Sequence, residues 1–230
     1  DLGLIADRYQ YRDRRTGAIA EFDLAALQAD TRHPYRVQTE QWRMTQLVWD
    51  KLQREYPTTT CLLDHSVKGV HQDSHGVEVL VWTSQGEQII DGSFLLGCDG
   101  ADSNVRKATA ISFEGFTYPE KFLVASTPFP LETKFDRLSL VNYVSDPDEW
   151  LVLLKTTSLW RVLIPTDPNN TDDSLFLSDA WIQDRLQHMA PHSEPYEIGH
   201  RTLYRVHQRV AKTYRRGRVL IAGDAAHINN

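Results

Sequence analysis

The sequence predicts an α/β fold with a second, sheet-rich domain inserted into it, and three observations carry that prediction. Two short apolar runs, residues 94–98 and 218–222, each read as a buried strand that empties into a Gly- and Asp-containing loop, Asp99-Gly100 and Gly223-Asp224. A stretch with helical periodicity, residues 39–56, precedes both. Between them, residues 109–205 change texture to spaced strand candidates divided by Pro- and Asp-rich connections. The expected division is residues 1–108 with 206–230 as one discontinuous domain, and residues 109–205 as the other.

The elements follow in order. Tyr9 to Phe22 reads as two short strands around Asp13-Arg14-Arg15-Thr16-Gly17, where Gly17 supplies the positive φ of a hairpin turn. From Thr39 to Tyr56, the residues Met44, Leu47, Val48 and Leu52 recur at helical spacing, with Thr39 as N-cap and Pro57 as the stop. A three-stranded meander is expected at Ser66 to Val70, Val77 to Thr83 and Glu87 to Ile90, with turn residues between the strands. The run Phe94 to Cys98 then ends on Asp99-Gly100, and a helical turn is expected near Val105. In the inserted segment the strand candidates are Phe122 to Ser126, Leu138 to Val144, Trp150 to Lys155 and Trp160 to Ile164, with Asp146-Pro147-Asp148 among the connections. One helix runs from Ser178 as N-cap through Ile182, Leu186 and Met189 to the break at Pro191. The six tryptophans are expected to be mainly core.

Bulk properties narrow the class. The chain has 230 residues, 41% hydrophobic and 24% charged, which is enough for one large domain or two smaller ones of ordinary globular protein. A net charge of -6 argues against a general nucleic-acid binder, whose surface must carry a basic excess. Arg12, Arg14 and Arg15, like Arg215, Arg216 and Arg218, read as solvated turn charges. Cys61 and Cys98 stand far apart, so neither a disulfide framework nor a zinc site is expected, and a cytoplasmic location fits. No apolar run approaches the roughly 20 residues that cross a bilayer. His188 and His192 straddle Pro191, which breaks the helix that would place both on one face, so no metal is expected. The opening Asp1-Leu2-Gly3-Leu4 has neither Met nor a signal pattern, and is read as the start of an internal fragment.

Two segments carry chemistry. Asp99-Gly100-Ala101-Asp102-Ser103-Asn104-Val105-Arg106 suits a phosphate or ribose: Gly permits close backbone approach, a helix start attracts anions, and Arg106 can neutralise one. Taken alone, Asp-Gly is a common turn. In residues 219–227, Asp224 can accept hydrogen bonds from sugar-like hydroxyls, while Gly223, Ala225 and Ala226 leave room for a bulky group. That edge, at the carboxyl end of a strand, is where open parallel sheets bind ligands. A core strand with a tight exit is an equal reading of that segment by itself. Two such edges flanking a sheet-rich insertion are much less expected by accident.

With those residues in view, the chain resembles the single-component FAD-dependent aromatic hydroxylases, the family of para-hydroxybenzoate hydroxylase and phenol hydroxylase. Asp99 to Arg106 is similar to that family's Asp-Gly-x-x-Ser-x-x-Arg motif, and Gly223-Asp224-Ala225-Ala226-His227 matches its second flavin motif letter for letter. Gln38-Thr39-Glu40-Gln41-Trp42-Arg43 resembles the Gln-Thr-Glu-x-x-Arg start of the family helix beside the flavin. The resemblance implies an incomplete Rossmann-like FAD-binding domain, since the family's Gly-x-Gly-x-x-Gly turn occurs nowhere in the chain, with residues 109–205 as the substrate domain.

It further implies that Asp224 contacts the ribityl chain, that Gln38 approaches the flavin, and that Asp99 and Arg106 serve the dinucleotide and the nicotinamide donor. Gly100, Gly223, Ala225 and His227 complete the implied cofactor-binding set. Arg43 joins on the motif alone, because a helix arginine more often pairs with a neighbour or meets solvent. The implied activity is that of a flavoprotein monooxygenase, using FAD, NADH or NADPH and oxygen to hydroxylate a small aromatic, phenolic substrate. A homodimer is one assembly it admits. The alternatives are a non-catalytic folded fragment or binding module, and a related FAD-dependent dehydrogenase or halogenase. No catalytic residue is assigned. Arg161, on a predicted strand, could meet a phenolate or carboxylate, although a strand arginine reaching solvent is the favoured reading.

Overall fold

The structure, a computed structural model, describes residues 2–147 and 149–229. Asp1 of the opening tetrapeptide, Asp148 of the Asp146-Pro147-Asp148 connection and Asn230 lie outside the described residues.

In chain order the first elements are β1 (Leu4–Ala6), β2 (Arg8–Asp13), β3 (Gly17–Asp23), β4 (Arg36–Gln38) and α1 (Gln41–Glu55). Next come β5 (Ser66–Gln72), β6 (Val77–Thr83), β7 (Gly86–Gly92), β8 (Leu95–Gly97), α2 (Asn104–Ala108) and β9 (Phe113–Thr127). The chain continues through β10 (Val141–Ser145), β11 (Leu151–Lys155), β12 (Trp160–Pro165), α3 (Asp173–Phe176) and α4 (Asp179–Met189). It closes with β13 (His200–Ala211), β14 (Arg215–Arg216), β15 (Val219–Ile221) and β16 (His227–Asn229).

Two compact units emerge, Asp1–Pro57 with Glu120–Arg205, and Thr58–Pro119 with Val206–Asn230. In the first, β9, β12, β11, β10, β2 and β3 lie side by side in one sheet, with β2 parallel to β10 and Gln10 opposite Asn142. That pairing joins the opening hairpin to the strands of the inserted segment, so compactness follows a different line from the change of texture at residue 109. Ser178 caps α4 by accepting from the Trp181 amide, and Ile182, Leu186 and Met189 pack with Leu123, Leu153, Trp160 and Val162 on one sheet face. The other face carries an exposed aromatic group: Tyr9 stacks on Phe22 at 4.9 Å between centroids and Tyr11 on Tyr143 at 5.1 Å.

In the second unit, β8 runs parallel to β15, with Leu95 opposite Val219 and Gly97 opposite Ile221. The meander β5–β6–β7 covers this small sheet, and Val77, Val79 and Val81 from alternate positions of β6 pack with Val105, Ile111, Val219 and Ile221. Gln72 ties the layers together. Its side chain donates to Arg216 O at 3.0 Å and accepts from the Arg218 amide at 2.8 Å.

Four expectations change. The N-cap of α1 is Glu40, and its side chain makes no capping bond; the Thr39 hydroxyl donates to Leu2 O at 2.7 Å instead. The tryptophans are mostly not core: Trp160 is 1% exposed, but Trp42, Trp49, Trp82 and Trp150 range from 37% to 63%. On α1 this follows from a helix with no buried residue, where Arg43 lies over the Trp42 ring at 5.0 Å. Third, Arg12 is buried, donating to Gln10 Oε1 at 2.6 Å and Asp136 O at 2.9 Å, and Arg14 is largely enclosed beside Asp146. The last concerns Arg216 and Arg218: Arg215 and Arg216 are exposed as expected, but the guanidinium groups of Arg216 and Arg218 also donate to the carbonyls of Thr109, Ser93 and Ser74.

Candidate functional site

In the second unit the parallel pairing of β8 and β15 brings the two Gly-Asp loops together. Both strands end at the same sheet edge, and the Ala222 amide donates to Gly97 O at 2.9 Å just before the chains part into Cys98-Asp99-Gly100 and Gly223-Asp224. Gly100 and Gly223 have φ of +80° and +59°, values at which glycine is at ease, and a side chain at either would meet nothing within 4 Å. The backbone of both loops therefore faces open space. A single helical turn, Gly223–Ala225, follows β15, burying Ala225 and Ala226 while Asp224 and His227 stay exposed. His227 lies opposite Val210 in the β13–β16 pair and lines a cleft of about 480 Å³ with Phe116, Arg209, Tyr214 and Ile228.

Asp99 and Arg106 hold these loops. The Asp99 carboxylate accepts from Ser103 Oγ at 2.5 Å and from the Val105 amide at 3.0 Å, so it occupies the start of α2 itself. Burial pushes the Asp99 carboxyl up, but the Ser103 hydroxyl and the Val105 N–H outweigh it and hold it below the usual range. Arg106 is 6% exposed, lies over the Phe113 ring at 3.9 Å, and donates to Ala101 O at 2.9 Å and Ala225 O at 3.0 Å. Its two carbonyl partners belong to the two different loops, so one guanidinium fixes their separation. Arg106, read from the sequence as able to neutralise an anion, here donates to the protein's own backbone.

In the first unit Gln38 ends β4, opposite Leu4. Its Nε2 is buried with no hydrogen-bond partner among the described residues. Arg43 stands with Nε 3.0 Å from Glu40 Oε2 as well as over Trp42, so it is tied to its own helix. Glu40 is the residue that reading by sequence passed over. It is 4% exposed, and accepts from Thr157 Oγ1 at 2.8 Å and Ser158 Oγ at 3.1 Å. Burial pushes its carboxyl up; the hydroxyls of Thr156, Thr157 and Ser158 overcome this and hold it at about 2. Its place between Gln38 and Arg43 in the recognised hexapeptide was the available signal.

Taken by itself, each unit carries groups of the kind that an FAD would meet. Two open backbone loops with an exposed carboxylate at a parallel-sheet edge suit a nucleotide and its polyol chain, and the orphaned Gln38 amide is a buried donor awaiting an acceptor. Among the described residues no group of three His, Cys, Asp or Glu could hold a metal ion, and no helix is long and apolar enough to cross a membrane.

Comparison with known proteins agrees with this geometry. The family model described as FAD binding domain matches residues 6–230. The para-nitrophenol 4-monooxygenase of a Pseudomonas species is 35% identical over 96% of this chain and 55% of its own length. For the 6-hydroxy-3-succinoylpyridine 3-monooxygenase of Pseudomonas putida, identity is 28% over 99% of this chain and 57% of that protein. The crystal structure of p-nitrophenol 4-monooxygenase from Pseudomonas putida superposes with a TM-score of 0.88 at 29% identity, covering 99% of this chain and 57% of that one. The chain spans about half the length of the curated relatives it matches. With two open glycine-bearing loops on adjacent parallel strands and a family match across nearly its whole length, this chain belongs to the FAD-binding domain family.

Proposed function

We propose that the chain is part of an FAD-dependent monooxygenase that uses NADH or NADPH and oxygen to hydroxylate a small phenolic substrate. The observation that carries this reading is the juxtaposition of Asp99-Gly100 and Gly223-Asp224 at the carboxyl ends of β8 and β15, in a chain of this family. When bound, FAD supplies the electron and oxygen chemistry that protein side chains lack. The chain's own contribution is to bind and orient. Asp224 accepts hydrogen bonds from ribityl hydroxyls, and Gly100, Gly223 and Ala225 let the cofactor approach the backbone. Gln38 donates its free Nε2 to the flavin. Asp99 and Arg106 act by fixing the two loops, Arg43 by pairing with Glu40, and His227 by walling the neighbouring cleft. For the substrate, the exposed aromatic face of the first unit's sheet favours a planar ring, and the half-buried Arg161 lies on that same face. The two relatives named above are monooxygenases of hydroxylated rings by name, which supports a phenolic substrate class.

The test is FAD titration followed by flavin fluorescence, together with substrate-dependent consumption of NAD(P)H and oxygen by the holoenzyme. Asp224→Ala is expected to weaken FAD binding by about tenfold to a hundredfold, the loss of one or two hydrogen bonds to a charged acceptor. A colourless protein that takes up no added FAD would overturn the reading.

A further inference from the structure

Two successive side chains at the start of α1 leave the helix's free amides unserved: neither Thr39, of a type that commonly caps, nor Glu40, which occupies the N-cap position, makes a capping bond. Thr39 reaches back to Leu2 O, and Glu40 turns toward Thr157 and Ser158, in the turn that joins β11 to β12. That turn is itself closed: the Thr156 amide and hydroxyl both bind Leu159 O, at 2.8 Å and 3.0 Å. A buried carboxylate with a hydroxyl donor on each oxygen, paired by charge with the Arg43 guanidinium whose Nε lies 3.0 Å away without a hydrogen bond, is a clamp made by the two hydroxyls. Immediately before this pair of anchors sits Gln38, with its buried, unpartnered Nε2. An amide left without a partner keeps one orientation only if the backbone beneath it is held.

We propose that Glu40 is the positioning residue for Gln38: by clamping the start of α1 to the β11–β12 turn, it aims the Gln38 carboxamide at the flavin. The inference rests on the reading of Gln38 as a flavin contact. Glu40 touches neither cofactor nor substrate and acts through its neighbour.

A double-mutant cycle on the FAD-loaded enzyme tests it, with FAD affinity and the flavin absorbance band as readouts. Gln38→Ala and Glu40→Ala are each expected to weaken FAD binding about tenfold, the loss of one hydrogen bond to the flavin, and to shift the band in the same direction. The double variant is expected to bind no more weakly than Gln38→Ala alone. Should Glu40→Ala fail to fold, the Thr157→Val/Ser158→Ala variant removes the clamp from its other side and is expected to reproduce the same losses. If Gln38→Ala weakens binding and removal of the clamp does not, or if the two effects multiply, Glu40 is not acting through Gln38 and the proposal falls. Unaltered binding in Gln38→Ala is a different failure, which removes the flavin contact and the proposal with it.

Discussion

Arg106 has a structural part in the fold that its place in the sequence does not reveal. Its spacing from Asp99 is visible in the sequence, but the carbonyl of Ala225 that it binds belongs to a loop far along the chain, and no pattern reveals that they meet. Once buried, the planar fork bridges two carbonyls at fixed separation, which a single ammonium cannot do. Arg106→Lys is therefore expected to cost about 2–4 kcal/mol of stability through an unsatisfied carbonyl and lost stacking on Phe113, measured by urea unfolding without added FAD. A variant of wild-type stability that loses only cofactor affinity would instead make Arg106 a direct contact. The Asp224 carboxylate, by contrast, is exposed among small neighbours, Gly223, Ala225 and Ala226, and the ribityl contact proposed for it is what the Asp224→Ala titration tests.

At the level of elements, what was legible were the segments whose turns carry their own chemistry. β6 was read to its limits because turn residues flank it on both sides, and the β2–β3 hairpin because Gly17, at φ +92°, marks its turn. β9 was read only over its second half, and β13 not at all. Both are long strands with few apolar runs, and their identity comes from partners distant in sequence. Gly115, in β9, is a consequence no propensity scale contains: a Cβ there would stand 2.0 Å from Gln208 O, at φ +126°. Gly115→Ala is expected to destabilise the protein by about 3 kcal/mol or more, seen as a lowered Tm. At Gly97 the obstruction is a side chain, with Val105 Cγ1 at 2.7 Å from the added carbon. Gly97→Ala should cost about 1–3 kcal/mol, and combining it with Val105→Ala should cost less than the two separately, because the smaller neighbour removes the clash.

For the molecule as a whole, acid stability depends on carboxylates whose folded pKa departs from its ordinary value. Glu40 is held at about 2 against 4.5, so it contributes stability above its ordinary pKa, and the contribution is lost as pH falls from about 4.5 to about 2. Glu149 works in the opposite sense: burial pushes it up against the pull of Arg185 and Arg14, so it disfavours the fold once ionised. Urea midpoints measured down this range should fall in the wild type and change less in Glu40→Gln, which should also be the less stable protein at neutral pH. An unchanged slope in the variant would place the acid transition elsewhere.

The joining of residues 1–57 to the later strands was not readable in the sequence, since it depends on one parallel pairing, β2 with β10. Parallel pairing has a further consequence where β8 meets β15. The stretch between them includes β9 to β14, and contacts of such long sequence separation form late, after the entropy of closing a large loop has been overcome. A chain emerging in order from synthesis or denaturant would recover its hairpins and meander well before the edge where those two strands lie together. Refolding followed by far-UV dichroism should therefore run ahead of flavin capture, making uptake of colour a late report that the most distant parts of the chain have found each other.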